Sequence, residues 1–167
     1  MSDGPALSEL SVTEFIALTR IGFVPRGVVM GSCVYSAGTQ YDWKVRTGEI
    51  TKLSQSLRQA RLLAIARMRE QAKALGAEGV MDVRLEVEHH LWSGARQVAK
   101  CVAFGTAVAA DPLNAPKSLM GAPSLKLANG MPFDSDLTTT DFVTLLTAGY
   151  RPLPAADGRD GCVRVRT

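Results

Sequence analysis

The sequence predicts a small α+β domain in which a short helix leads into a strand, a long helix and a β-hairpin. Three observations predict this class. A helix-start signature stands near the N-terminus, apolar residues recur at helical spacing over residues 54–75, and apolar and polar residues alternate strictly over residues 79–92. Because a helix repeats every 3.6 residues and a strand every two, these periodicities assign the segments to different element types.

The first predicted element is a short helix over residues 12–21. Ser11 and Glu14 have the spacing of a capping box, in which two side chains satisfy free backbone N–H groups at a helix N-terminus. Gly22 follows the helical run, and glycine commonly ends a helix. The pattern therefore predicts both ends of this helix.

A strand is predicted over residues 23–35, which are rich in Val and Gly. Pro25 and Gly27 lie near its start, and they favour an edge position or a bulge because proline cannot donate a ladder hydrogen bond. Residues 36–52 are predicted to form a loop before the next helix.

The strongest predicted element is a helix over residues 54–75, with Ser54 or Ser56 as its cap and Gly76 after its end. Its apolar residues recur every three or four positions: Leu57, Ala60, Ala64, Met68, Ala72 and Leu75. Further apolar residues widen this face. We therefore expect the helix to pack on the sheet and also on a neighbouring subunit.

A β-hairpin is predicted after the long helix. The alternation over residues 79–92 is typical of a half-buried strand. Ser93 and Gly94 are placed to form the turn, and residues 97–109 are its expected antiparallel partner.

The C-terminal part contains a predicted linker and an internal repeat. Residues 110–134 hold four of the eight prolines, which is typical of a linker. Residues 135–154 then align without a gap with residues 8–27. Matching positions include Ser8 and Ser135, Phe15 and Phe142, Gly22 and Gly149, and Pro25 and Pro152. The chain is therefore predicted to have a domain at 8–109, the linker, and a partial repeat of the helix and first strand at 135–167.

Composition argues against several classes of protein. The net charge is only +3, whereas a nucleic-acid-binding domain usually carries a strong basic stripe. No apolar run approaches the length of a membrane span, and the N-terminus lacks the pattern of a signal peptide. The three cysteines are widely spaced and are expected to be reduced. We expect a cytoplasmic protein that binds neither nucleic acid nor membrane.

Residues 22–109 carry a set of motifs that resembles the YbjQ-like family, whose members are labelled heavy-metal-binding domains. The matching residues are Gly48-Glu49, Arg61, Ala64, Arg67-Met68, Ala72, Leu75-Gly76-Ala77, Val80, Val83-Arg84 and Gly105-Thr106-Ala107-Val108. The resemblance implies a dodecin-subunit-like β-α-β-β fold that assembles into a ring, with a pentamer as the expected size. It implies no established activity.

Cysteine and histidine supply the candidate metal ligands. His89 and His90 are adjacent on a predicted strand, so they point to opposite faces and do not bind one ion together. Cys33 and Cys101 lie on two predicted strands of one sheet, and with His90 they would form a soft-metal site. The ion would be a divalent metal, and no other cofactor is predicted. The alternative is that both cysteines are small core residues; Cys162 aligns with Cys33 under either alternative.

Other candidate sites are weaker. The catalytic and nucleotide-binding motifs of common enzyme classes are absent from the sequence. Asp42 and Glu49 could act as paired carboxylates, but loop charges are the simpler interpretation. Arg61, Arg67 and Arg84 could line an anion pocket, with salt bridges to acidic neighbours as the alternative.

The sequence therefore predicts a non-enzymatic, homo-oligomeric assembly or binding protein whose partners are further copies of itself. One alternative is a metal-binding module that uses Cys33, Cys101 and His90. Another is a small-ligand or enzymatic site at the subunit interfaces.

Overall fold

The computed structural model describes residues 9–37, 46–92, 96–111, 126–127 and 129–150. For residues 36–37, 46–53, 89–92 and 96–97 it describes the backbone alone. The elements are α1 (Val12–Arg20), β1 (Phe23–Ala37), α2 (Arg46–Ala74), β2 (Gly79–Trp92), β3 (Arg96–Ala110), β4 (Phe133–Asp134) and α3 (Thr139–Thr147).

The strands form one four-stranded sheet in the order β1-β3-β2-β4. β3 pairs antiparallel with both β1 and β2, and β4 pairs parallel with β2. The predicted small α+β fold, with a leading helix followed by strand, helix and hairpin, is confirmed. The predicted turn at Ser93-Gly94, the predicted strand after residue 150 and Cys162 lie outside the described residues.

The long helix begins earlier than the sequence pattern predicts. α2 starts at Arg46, so the predicted loop over residues 36–52 is wrong from that point onward. Ser54 and Ser56 lie inside the helix and do not cap it. Apolar periodicity marks only the part of a helix that packs on a core. The first turns of α2 are rich in polar residues and contain good helix formers such as Glu, Lys and Leu.

The end of the predicted linker forms a short strand instead of a loop. Phe133 and Asp134 form β4, and both are buried at the edge of the sheet. The amide of Phe133 donates to the carbonyl of Glu78 at 2.9 Å, and the amide of Ser135 donates to Val80 at 2.9 Å. Composition assigns this stretch to a linker because a two-residue strand has no periodicity to detect.

One face of the sheet packs against α2. Small residues line the contact, including Ala60, Ala64 and Ala72 on the helix and Ala103 and Ala107 on β3. Gly31 on β1 lies so close to α2 that an added methyl group would overlap the carbonyl oxygen of Ala64 and stand 2.5 Å from the amide nitrogen of Met68. Small side chains on both surfaces therefore let the helix approach the sheet closely.

The opposite face is covered at one end by α1 and α3. Leu18, Ile21 and Phe142 from the helices pack there with Met81 and Val108 from the sheet. Phe133 joins them, with its ring centroid 6.0 Å from that of Phe142. This second core joins the residues after the predicted linker to the first domain.

The two short helices have matching ends. Each is nine residues long. Ser11 and Glu14 form the predicted capping box of α1, while Thr138 and Asp141 occupy the same positions at the start of α3. Gly22 and Gly149 follow the two helices with φ of 80° and 84°, a conformation that glycine adopts without strain. The internal repeat remains a prediction, and these shared ends are consistent with it.

No helix in the described ranges combines the length and the apolar character needed to cross a membrane.

Candidate functional site

Two buried cysteines lie directly opposite each other in the sheet. Cys33 on β1 pairs in register with Cys101 on β3. Both belong to the core between the sheet and α2, where Cys33 is 5% exposed and Cys101 is 0% exposed. Both are free thiols. The structure therefore brings together two of the three predicted metal ligands.

The hydrogen-bond pattern of β1 defines the spacing of this pair. The amide of Met30 donates to Gln71 Oε1 at 2.7 Å, and the carbonyl oxygen of Ser32 accepts a hydrogen bond from Arg67 Nη1. Backbone groups at positions 30 and 32 thus point away from β3, and the antiparallel alternation makes Cys33 and Cys101 a hydrogen-bonded pair. Such a pair has its Cα atoms roughly 5.5 Å apart.

A Cα separation of roughly 5.5 Å lies within the range that disulfides adopt, but both thiols are free in the structure. Cβ atoms in directly opposed pairs lie about 4.5–5.5 Å apart, with the larger values in hydrogen-bonded pairs. A disulfide needs Cβ atoms about 3.5–4.5 Å apart. The two Cβ ranges meet only at about 4.5 Å, which favours free thiols at this pair.

Arg61 on α2 places a positive charge beside the thiols. Its Nε is buried, and no acceptor in the described part of the chain lies within hydrogen-bond distance of it. Burial raises the pKa of the Cys101 thiol, the charge of Arg61 opposes that rise, and Cys33 adds to it. This part of the core thus contains two thiols and a buried N–H donor that has no acceptor among the described residues.

His90, the third predicted ligand, lies farther along the sheet. Cys101 is opposite Val87 on β2, whereas His90 is opposite Val98. Its backbone is thus three residues beyond Val87, roughly 10 Å along the strand. Its side chain is outside the described part, as is that of His89, and the described residues contain no cluster of three or more His, Cys, Asp or Glu side chains suited to a metal. A role for His90 as a ligand remains a prediction.

The predicted anion pocket of three arginines does not form. Arg67 binds the edge of β1, and Arg84 forms an exposed ion pair with Asp82 at 2.8 Å. Arg84 pairs in register with Phe104, on the face opposite α2, so it lies across the sheet from Arg61. The spacing of arginines along the sequence does not reveal which face of a sheet each one reaches. Asp42 lies outside the described residues, and Glu49 is described by its backbone alone.

Sequence patterns missed two relationships in this region. The sequence places Arg61 in a candidate anion pocket and gives no sign that it lies beside the cysteines. The pair of Arg69 and Asp134 was missed because Asp134 falls in the predicted linker. Arg69 Nε donates to Asp134 Oδ1 at 2.9 Å, and Nη2 donates to the same oxygen. The only sequence signal for that pair is an acidic residue beside an apolar one just before the repeat.

The chain is similar to a protein named for an encapsulin nanocompartment and to several UPF0145 proteins. It is 38% identical over 146 residues to the encapsulin nanocompartment protein Rv1762c of Mycobacterium tuberculosis, covering 87% of this chain and 52% of that protein. A UPF0145 protein of Halorubrum lacusprofundi is 36% identical over 104 residues, covering 60% of this chain and 96% of that protein. The chain spans about half the length of the Mycobacterium relative and of a UPF0145 protein of Clostridium perfringens.

A solved structure of a protein of unknown function from Pediococcus pentosaceus, assigned to the DUF74 family, matches with a TM-score of 0.43 at 18% identity. The match covers 54% of this chain and 87% of that one. The YbjQ family model, described as "Putative heavy-metal-binding", matches residues 10–111. The matched range includes both core cysteines and covers more than half of the chain. The chain therefore belongs to the YbjQ family.

Proposed function

We propose that the protein is a non-catalytic assembly protein whose copies form a closed homo-oligomeric ring, with a pentamer as the expected size. The observation that carries this proposal is the group of large apolar side chains exposed on the side of the sheet opposite α2. Val34 is 67% exposed, Met30 is 56% exposed, and Val12 on α1 is 76% exposed. Single exposed apolar side chains are ordinary, but a group on one side is typical of an interaction surface.

The open face is apolar on one half and charged on the other. Met30 pairs with the half-buried Phe104, and the half-buried Val102 lies nearby on β3. On β2 the same face carries Glu86 and Glu88, and Glu88 forms an ion pair with Lys100 at 3.2 Å. We therefore expect the open face of one copy to contact a different surface on the next copy, and not the same face.

The two sheet edges differ in a way that supports a head-to-tail contact. Gln71 and Arg67 satisfy backbone groups on the outer edge of β1, so α2 protects that edge. β4 covers only the beginning of β2, and within the described ranges no strand pairs with the outer edge of β2 from Arg84 onward. An open edge is a template for strand addition. A contact between two different surfaces can repeat from copy to copy. It forms a closed ring when the rotations between neighbouring copies add up to a full turn.

A relative also supports the proposal. One carries the name encapsulin nanocompartment protein, and that name refers to an assembly. The family resemblance also implies a ring. Because the chain spans about half of that relative, the proposal concerns assembly by the domain present in this chain.

Native mass spectrometry of the full chain tests the proposal. The expected result is a five-fold multiple of 17.9 kDa. Val34→Glu should shift the protein to the monomer because it places a charge in the apolar contact. Thr144→Glu is the control, since Thr144 is exposed on α3, outside both the open face of the sheet and α2. A monomeric wild type at micromolar concentration, or equal effects of the two substitutions, would contradict the proposal.

A further inference from the structure

We propose that Cys33, Cys101 and Arg61 form a binding site for a soft monovalent cation of the Cu(I) and Ag(I) class, held as an anionic bis-thiolate complex. Cys33 on β1 and Cys101 on β3 meet in the core against α2, the helix that carries Arg61. The charge of Arg61 acts on the Cys101 thiol. The site is independent of ring assembly, because it lies in the core of a single chain.

The number and type of ligands favour a two-coordinate ion. Structural zinc sites have four ligands in a tetrahedral arrangement. The described residues offer only a pair of thiols here, with no cluster of three or more His, Cys, Asp or Glu side chains. Soft thiolate ligands select ions such as Cu(I), and d10 monovalent ions accept two sulfur ligands in a line.

The geometry of the pair fits a bridging ion. Metal–thiolate bonds are about 2.3 Å long, so a linear sulfur–metal–sulfur unit spans about 4.6 Å. A disulfide is only about 2.05 Å long and needs closer Cβ atoms. A hydrogen-bonded pair such as Cys33 and Cys101 holds its Cβ atoms at the wider end of the range for opposed residues. A sulfur–metal–sulfur unit of this length therefore fits the ordinary strand spacing of such a pair.

The positive charge of Arg61 favours a complex that carries a net negative charge. Two thiols bind one monovalent ion and release two protons to solvent, which leaves a complex with a net charge of −1. A buried charge is costly unless it is paired. The guanidinium of Arg61 compensates that charge, and its buried Nε–H, which has no acceptor among the described residues, gains a thiolate sulfur as its acceptor. A divalent Hg(II) bis-thiolate is neutral and has no such need.

The charge argument can be tested by comparing Ag(I) with Hg(II). Both ions are titrated into the full chain carrying Cys162→Ser, with excess glutathione as competitor so that a single thiol does not retain the ion. We expect one Ag(I) per chain, lost on Cys33→Ser or Cys101→Ser and unaffected by His90→Ala. Arg61→Met should weaken Ag(I) binding by at least about tenfold, as expected for loss of a supporting group, and leave Hg(II) binding unchanged.

Arg58→Met is the matched control, because Arg58 lies on the same helix and is exposed. It should leave the affinity for both ions unchanged. A loss of Ag(I) and Hg(II) binding alike in Arg61→Met would show that Arg61 only maintains the fold, and would overturn the charge argument. Stoichiometric Ag(I) that survives both serine substitutions would overturn the site.

A second measurement does not depend on the variants folding. Silver K-edge absorption of the Ag(I)-loaded wild-type protein reports the ligands directly, and two sulfur atoms are expected. A third sulfur, a nitrogen ligand, or no retained silver would overturn the two-thiolate site. Mild oxidation followed by peptide mapping gives a further check, because ready formation of a Cys33–Cys101 disulfide would show a redox pair instead.

Discussion

Arg69 on α2 and Asp134 on β4 form a largely buried ion pair that joins the helix to the strand after the predicted linker. The side chain of Asp134 is 1% exposed and that of Arg69 is 16% exposed. Arg69 donates from both Nε and Nη2 to one carboxylate oxygen. The pair therefore fixes β4 at the edge of β2, next to the apolar contacts of Phe133.

Removing one partner of this pair should detach the segment that follows the linker. Asp134→Ala leaves the guanidinium of Arg69 buried without this carboxylate, and the loss of one partner of a buried pair typically costs about 3–5 kcal/mol. We expect a lower free energy of unfolding in urea and faster hydrogen exchange over residues 131–150. Arg84→Ala is the control, because the ion pair of Arg84 with Asp82 is exposed to solvent and such pairs contribute little to stability.

A double substitution separates charge from packing at the same place. Arg69→Met with Asp134→Leu removes both charges and should recover much of the stability lost in Asp134→Ala, since apolar replacements of buried pairs are often neutral. If Asp134→Ala and Arg84→Ala have equal small effects on the free energy of unfolding, the buried pair does not hold β4 in place.

Gly31→Ala should destabilise the protein through the contact between β1 and α2. Its methyl group would overlap the backbone of α2 at Ala64 and Met68, and backbone cannot move aside as a flexible side chain can. Overpacking of this kind typically costs about 1–3 kcal/mol. The free energy of unfolding measures the loss, with Ser32→Ala as control because Ser32 is exposed on the opposite face. A stability equal to that of the control would mean that α2 moves away from the sheet without cost.

The raised pKa of Cys101 predicts a dependence of stability on alkaline pH. Burial is the main cause of the rise, Arg61 opposes it and Cys33 adds to it. An unfolded thiol titrates near pH 8.5, so above that value the unfolded chain releases its proton first and binds fewer protons than the folded chain. The contribution of this thiol to stability is therefore present below about pH 8.5 and is lost as the pH rises toward the folded pKa.

Urea unfolding of the wild type and of Cys101→Ala between about pH 7.5 and 10 checks this sign, around the ordinary thiol pKa. Lysine and tyrosine groups titrate in both proteins, so the difference between them isolates Cys101. The stability advantage of the wild type should shrink as the pH rises. An advantage that stays constant or grows would show that the folded thiol is not harder to ionise than the unfolded one.

Local chemistry in the sequence was enough to predict most elements of the fold. Ser11 and Glu14 are three residues apart, and their capping box satisfies backbone groups within one helical turn. The alternation over residues 79–92 likewise predicts β2 from its own side chains. The start of α2 is mostly polar in sequence and shows no helical periodicity, so the prediction was wrong there.

Other relationships depend on which residues meet in three dimensions. The sequence by itself determined the order of helices and strands, the caps of α1 and the presence of thiols on two strands. Only the tertiary structure decided that Cys33 is opposite Cys101, that Arg61 lies beside them, and that Arg69 binds Asp134, 65 residues away. The physical reason is that caps and periodicities arise from interactions within a few residues, whereas strand register and buried pairing depend on how the sheet and α2 pack together.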